Sequence, residues 1–106
     1  IYKKINPNFP YSEGYNLKYV KEIKKNIPEN IVLSVVGGNR HFAQMSAYIM
    51  NEYVQFVSMS RPFIRQPHIL RTYQDALTEK SDCINCGECF LARSRKELSQ
   101  ITCFYP

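Results

Sequence analysis

The sequence predicts an α/β fold in which two short parallel strands are each followed by a helix. The first strand is the apolar run of residues 31–36, and the second is the run of residues 53–58. The first run is nearly unbroken by polar residues, which is typical of strands buried on both faces of a parallel sheet. Each run stops at residues suited to a tight turn or to contact with an anion. This rhythm indicates two consecutive β-α units.

Helical patterns flank both predicted strands. They cover residues 16–26, 41–51, a short turn over 62–66, and 68–78. Asn16 is placed to N-cap the first helix, and Pro28 prevents its continuation. The two histidines, His41 and His68, begin helices and lack the spacing of a metal pair or of a nucleophile and its base. Residues 1–15 are punctuated by Pro, Gly and Asn and are predicted to be loop.

The two strand ends carry the residues that point to a function. Gly37 and Gly38 end the first strand, and Ser60 and Arg61 follow the second. Where the carboxyl ends of neighbouring parallel strands meet, backbone N–H groups, a helix N-terminus and a guanidinium can converge on one phosphate. Two glycines also permit positive φ and a close approach of ligand to backbone. We therefore expect half of a cofactor phosphate site at this edge.

Length and charge limit the function classes. With 106 residues the chain allows one domain with a modest core. The net charge of +5 suits an anionic partner or a Lys-rich solvated surface. Nucleic acid is disfavoured because the positive charges lack interleaved aromatic platforms. No apolar run approaches the roughly 18 residues that span a bilayer, and no leader opens the chain. We expect a soluble, cytoplasmic protein without a membrane partner.

The four cysteines all follow position 82. Cys83, Cys86 and Cys89 are spaced C-x2-C-x2-C, and Cys103 follows at a distance. Tight clustering favours metal or cluster ligation in a reducing compartment over a disulfide framework. A bacterial ferredoxin motif is incomplete, because Arg93 stands where the next ligand is expected. A [4Fe-4S] cluster, a zinc ion held by four thiolates, and free or paired thiols are the alternatives.

Five stretches, taken in order, resemble the last part of one enzyme family. They are residues 16–25, Val36-Gly37-Gly38, Met59-Ser60-Arg61-Pro62-Phe63-Ile64, Pro67, and Cys83-Ile84-Asn85-Cys86. Together they look like the old yellow enzyme family of FMN-dependent NAD(P)H:flavin oxidoreductases, over nearly the whole chain. The resemblance implies a TIM barrel, of which residues 1–80 would supply strands seven and eight with their helices as a partial barrel. Residues 81–106 would be a cysteine-rich tail.

The resemblance implies that the strand ends hold FMN. Backbone N–H groups near Gly37 and Gly38, with the backbone and side chain of Arg61, would bind its phosphate, as TIM barrels often do after strands seven and eight. Ser60 stands where the family usually has Gly, and a left-handed backbone there would cost about 1 kcal/mol. Some relatives bind a [4Fe-4S] cluster just after the barrel, with three residues between the second and third cysteines, where this chain has two.

The resulting expectation is the FMN-binding portion of an ene-reductase-like NAD(P)H oxidoreductase. No catalytic residue is assigned, because the family's proton donor, substrate anchors and flavin-ring contacts come from earlier strands. A complete barrel takes about 250 residues, so the chain alone would be inactive and would pair with the rest of the barrel or self-associate. The main alternative is a small iron-sulfur or zinc module on a β-α scaffold, and a basic interaction domain is a weaker third.

Overall fold

The structure, a computed structural model, describes residues 12–90 and 101–104. The elements are α1 (Leu17–Lys24), β1 (Ser34–Val36), α2 (Phe42–Met50), β2 (Phe56–Ser58), α3 (Arg61–Arg65) and α4 (Ile69–Gln74). Their order is the predicted one, with a helix first and then two strands that are each followed by a helix. The predicted loop over residues 1–15 lies outside the described residues up to position 11. In the described part of the chain, no helix is long and apolar enough to cross a bilayer.

The two strands pair in parallel, with Val35 opposite Val57. Each strand has three residues, which is shorter than the apolar run that predicts it. The pairing changes at Leu33, because its N–H donates to the side-chain Oε1 of Gln55 at 2.8 Å. The Leu33 carbonyl accepts from the N–H groups of both Gln55 and Phe56, at 3.0 and 3.2 Å. The Gln55 side chain therefore takes the place of a backbone partner at Leu33 and ends the regular pairing of the two strands.

The core consists of two small clusters on one side of the sheet. Val20, Val35, Tyr48 and Val54 form the first. Met45, Ile69 and Tyr73 form the second, against which Val57 and Phe63 pack. Both clusters draw on α2, which places this helix between α1 and α4. The helices thus cover the sheet face that carries Val35.

The expectation that the strands are buried on both faces is wrong. Val35 is 1% exposed, whereas its neighbour Val36 is 52% exposed and Phe56 in β2 is 62% exposed. Successive side chains of a strand point to opposite faces. The described chain covers only one face of the sheet, so the second face remains in contact with solvent.

The segment after α4 folds back beside the end of β1. The N–H of Phe42 donates to the Glu79 carbonyl at 2.9 Å, and the N–H of Ser81 donates to the Arg40 carbonyl at 3.1 Å. The side-chain Oε1 of Gln66 accepts from the Ser81 hydroxyl at 2.8 Å and from the Asp82 N–H at 2.7 Å. These bonds place residues 81–90, hereafter the cysteine segment, next to the carboxyl ends of the strands.

Candidate functional site

The carboxyl ends of β1 and β2 open on a cleft of about 160 Å³. The four residues predicted to bind a phosphate all lie in its wall: Gly37, Gly38, Ser60 and Arg61. The parallel register brings them together, because Val36 and Ser58 are paired and the two turns leave the sheet side by side. That these residues bind a phosphate stays a prediction.

The Gly37-Gly38 turn has the left-handed backbone that glycine permits. Its φ angles are 108° and 70°. A Cβ at Gly37 would lie 2.7 Å from Asn16 Nδ2, and a Cβ at Gly38 would lie 2.7 Å from the backbone of Gly14 and Ser12. The Gly14 N–H also donates to the Gly38 carbonyl at 2.9 Å. Neighbouring segments of the chain therefore lie close to this turn. The approach of a ligand is not the only reason for the two glycines.

Asn16 occupies the N-cap position of α1, as predicted, but it does not cap the helix with its side chain. Instead its Nδ2 donates to the Val36 carbonyl at 2.6 Å. This bond ties the start of α1 to the end of β1. It fixes the segment of residues 12–16 against the glycine turn.

The turns supply several hydrogen-bond donors to the cleft. The N–H groups of Gly38 and Ser60 donate to no residue of the described chain. Ser60 has φ −120° and ψ −73°, so the left-handed strain considered for this position does not arise. Arg61 is half-buried in the same wall. Unused N–H groups beside a guanidinium are the arrangement that binds anions.

Asn39, which the sequence prediction omitted, joins the two strand ends. Its Nδ2 donates to the Val35 carbonyl at 3.2 Å and to the Ser58 carbonyl at 3.0 Å. The residue is 4% exposed and lines the cleft, and its buried Oδ1 has no partner within residues 12–90 and 101–104. It therefore offers an acceptor beside the donors. Its position directly after two glycines was the only sequence feature that marked it.

Asn85 was also missed. It lines the cleft from the cysteine segment, is 5% exposed, and has φ 57°. The Cys83 thiol donates to its Oδ1 at 3.9 Å. An asparagine between two cysteines is only a weak sequence signal for a binding residue. Asn does adopt the left-handed conformation more readily than other non-glycine residues.

Arg40 anchors the cysteine segment and does not line the cleft. Its Nε donates to Glu13 Oε1 at 2.7 Å and its Nη1 to the Cys83 carbonyl at 2.6 Å. The Arg40 carbonyl accepts from the Tyr73 hydroxyl. Burial raises the pKa of Tyr73, while a hydrogen bond with the Ser81 backbone and the charge of Arg40 oppose the rise. Arg40 therefore has a structural role.

The four cysteines line a second, smaller cavity of about 20 Å³, with Arg61 and Arg65 in its wall. Cys83, Cys86, Cys89 and Cys103 are all free thiols. The Arg65 guanidinium lies 3.8 Å from Cys103 Sγ. Burial raises the pKa of the Cys89 thiol, Cys83 and Cys86 raise it further, and Arg61 opposes the rise.

The cavity that the four thiols line has room for about one water molecule. In the part of the chain that the structure describes, no group of three or more His, Cys, Asp or Glu side chains is arranged to hold a metal ion. The structure thus brings the predicted ligands to one cavity without the geometry of zinc or cluster ligation. Metal binding by these cysteines stays a prediction.

Comparison with known proteins identifies one kind of redox enzyme. The chain is 26% identical over 86 residues to the 4,4'-dithiodibutanoate disulfide reductase of Rhodococcus erythropolis. The match covers 81% of this chain and 21% of the reductase, so the chain spans about a fifth of that relative's length. A disulfide reductase is an oxidoreductase, and this chain is a distant homologue of it. No family model matches the chain. No solved structure matches it.

Proposed function

We propose that this chain is the FMN-phosphate-binding part of a flavin-dependent oxidoreductase with a TIM-barrel fold. One observation carries the proposal: residues of two consecutive β-α turns line a single cleft at the carboxyl ends of parallel strands. TIM barrels commonly bind phosphate at this position, after their last two strands. The distant homology to a disulfide reductase supports the redox class.

The chemistry of the cleft suits the phosphate end of FMN. The donors are the N–H groups of Gly38 and Ser60 and the guanidinium of Arg61, which match the oxygens of a phosphate. The buried Asn39 Oδ1 is a hydrogen-bond acceptor without a partner among the described residues, so a matching ligand has to offer it a donor. A ribityl phosphate presents phosphate oxygens beside hydroxyl groups, so it matches both the donors and this acceptor.

The size of the cleft indicates that other parts of the protein hold the rest of FMN. Its volume of about 160 Å³ is below the roughly 300 to 1,000 Å³ typical of sites for drug-sized ligands. The uncovered sheet face carries Val36 and Phe56, which are 52% and 62% exposed. We propose that the remainder of the barrel, or a second copy of the chain, covers this face and completes the site.

When bound, FMN supplies two-electron transfer from NAD(P)H to an acceptor. The residues of this chain bind and orient its phosphate, and none of them is assigned a proton or hydride step. Two acceptor classes are to be assayed: electron-poor alkenes, the acceptors of ene-reductases, and disulfides, which the name of the relative suggests.

The test is FMN affinity in the full-length protein. We expect Arg61→Ala to weaken FMN binding by about 1.5 to 3 kcal/mol, the usual worth of a hydrogen bond to a charged group. Arg71→Ala is the matched control, because the Arg71 side chain is 80% exposed. A full-length protein that binds no flavin, or an Arg61→Ala variant with unchanged FMN affinity, would refute the proposal.

The metal-module alternative is decided by the same preparation. Anaerobically purified protein is analysed for iron, sulfide and zinc, together with its absorption spectrum. Stoichiometric metal that Cys86→Ser removes would favour the module. Flavin bands without metal would favour the oxidoreductase.

A further inference from the structure

We propose that Asn85 is an additional ligand of the phosphate, an inference that rests on the function proposed above. Asn85 belongs to the cysteine segment, outside the two β-α turns that carry the other donors. It nevertheless lines the same cleft as Gly37 and Arg61. With 5% of its surface exposed, the residue is almost completely buried. The cysteine segment would thus form a third wall of the phosphate site.

One end of the Asn85 amide is engaged and the other end is unused. The Cys83 thiol donates to Oδ1 at 3.9 Å, which assigns the carbonyl end to the thiol. Nδ2 is buried and finds no partner among the described residues. A buried donor without a partner is destabilising, and a bound ion or ligand is a common reason for keeping one in a native protein. A phosphate oxygen in the cleft is a suitable acceptor.

The backbone holds Asn85 in place before any ligand binds. Its φ of 57° lies in the left-handed region, where non-glycine residues are uncommon. Cys83, two residues before Asn85, is fixed by hydrogen bonds from Arg40 Nη1 to its carbonyl and from its N–H to Ser81 Oγ, at 2.6 and 3.2 Å. Such a constrained residue at a ligand-lining position is typical of binding sites. The donor is therefore preorganised.

Two substitutions test the side chain without disturbing this backbone. Asn85→Gly removes the amide, and glycine adopts a positive φ without strain. Asn85→Asp keeps the shape and tolerates the left-handed conformation, but it places a carboxylate where the phosphate is expected. Asn30→Asp makes the same change of charge at an exposed position and serves as the control.

The measurement is the affinity of the full-length apoprotein for FMN and for riboflavin, which lacks the phosphate. We expect Asn85→Gly to weaken FMN binding about tenfold and Asn85→Asp to weaken it more. Riboflavin affinity is expected to stay unchanged in both variants. Asn30→Asp is expected to bind both flavins like the wild type. A second readout is the melting temperature with and without inorganic phosphate, which should rise in the wild type and not in Asn85→Asp.

The outcomes separate the two proposals. FMN affinities equal to wild type in both Asn85 variants, together with weaker binding by Arg61→Ala, would overturn the role of Asn85 and leave the proposed function standing. A wild type that does not prefer FMN to riboflavin would overturn the proposed function. In that case the phosphate readout decides: stabilisation that Asn85→Asp abolishes supports Asn85 as an anion ligand, and no stabilisation rejects it.

Discussion

Arg40 donates from Nη1 to the backbone carbonyl of Cys83 at 2.6 Å, across 43 positions of the sequence. The same guanidinium pairs with Glu13, and the side chains of this pair are 16% and 26% exposed. Arg40 therefore joins three segments that meet beside the cleft: the turn before α1, the turn after β1, and the cysteine segment. Arg40 is therefore one of the side chains that hold the thiols in position, together with Gln66.

Arg40→Ala is expected to reduce the free energy of unfolding by about 2 to 3 kcal/mol, because the half-buried Glu13 carboxylate loses its guanidinium partner and keeps, among the described residues, only His41 Nε2, at 3.9 Å. It should also speed alkylation of Cys83, whose carbonyl anchor is lost. Urea unfolding and iodoacetamide labelling measure the two effects. Arg71→Ala removes an exposed pair with Asp75 and should cost less than about 0.5 kcal/mol. Equal losses in the two variants would contradict the structural role of Arg40.

Gly38→Ala is expected to destabilise the protein by more than about 1 kcal/mol, the cost of a left-handed backbone for a residue with a Cβ. The added Cβ would also lie 2.7 Å from backbone atoms of Gly14 and Ser12, which a side-chain rotation cannot relieve. Thermal unfolding measures the loss. Ser60→Ala, at the other turn and with φ −120°, is the control and should melt near the wild type. A Gly38→Ala variant with the same melting temperature as Ser60→Ala would show that the turn tolerates a Cβ.

Tyr73→Phe is expected to be less stable than the wild type by about 1 kcal/mol at pH 8, because it loses the hydrogen bond to the Arg40 carbonyl. The difference should shrink at alkaline pH. Burial raises the pKa of Tyr73 above its ordinary value of 10.0. The unfolded chain therefore loses the proton first, and this contribution to stability is full below about pH 10 and declines as the pH rises through the folded pKa.

Urea unfolding at pH 8 and above pH 10 tests the tyrosine prediction. Tyr19→Phe is the matched control, because the Tyr19 ring is 49% exposed. A difference between Tyr73→Phe and wild type that grows with pH would contradict the expected sign.

The uncovered sheet face predicts self-association of the isolated 106-residue chain. Phe56 and Val36 present large apolar side chains there, and short two-stranded sheets with open edges pair readily. We expect Phe56→Lys to shift the sedimentation distribution toward monomer. Met50→Lys, at an exposed position on α2, should change it less. Monomeric wild type at high concentration would contradict this expectation.

Local chemistry made the order of the elements predictable. The Gly37-Gly38 stop, the proline in the first turn of α3, and the histidines at the starts of α2 and α4 all act within a few residues, and the structure places them as expected. The gathering of the glycine turn and Arg61 in one cleft followed from parallel pairing alone.

Long-range contacts were beyond sequence reasoning. The bond from Arg40 to Cys83 and the placement of Asn85 depend on how the cysteine segment folds back. No local propensity encodes that path. The prediction that the second sheet face is buried was wrong for a different reason. An apolar run indicates that a strand needs covering on both faces, but it does not show whether the same chain provides the covering residues.

Asn39 contributes both to the fold and to the cleft, so its loss would affect both. Its amide nitrogen holds the two strands together, and the residue also lines the cleft. A mutational survey that scored only enzyme activity would rank Asn39 beside the ligand-binding residues. Only a parallel measurement of cellular abundance would separate loss of folding from loss of binding at this position.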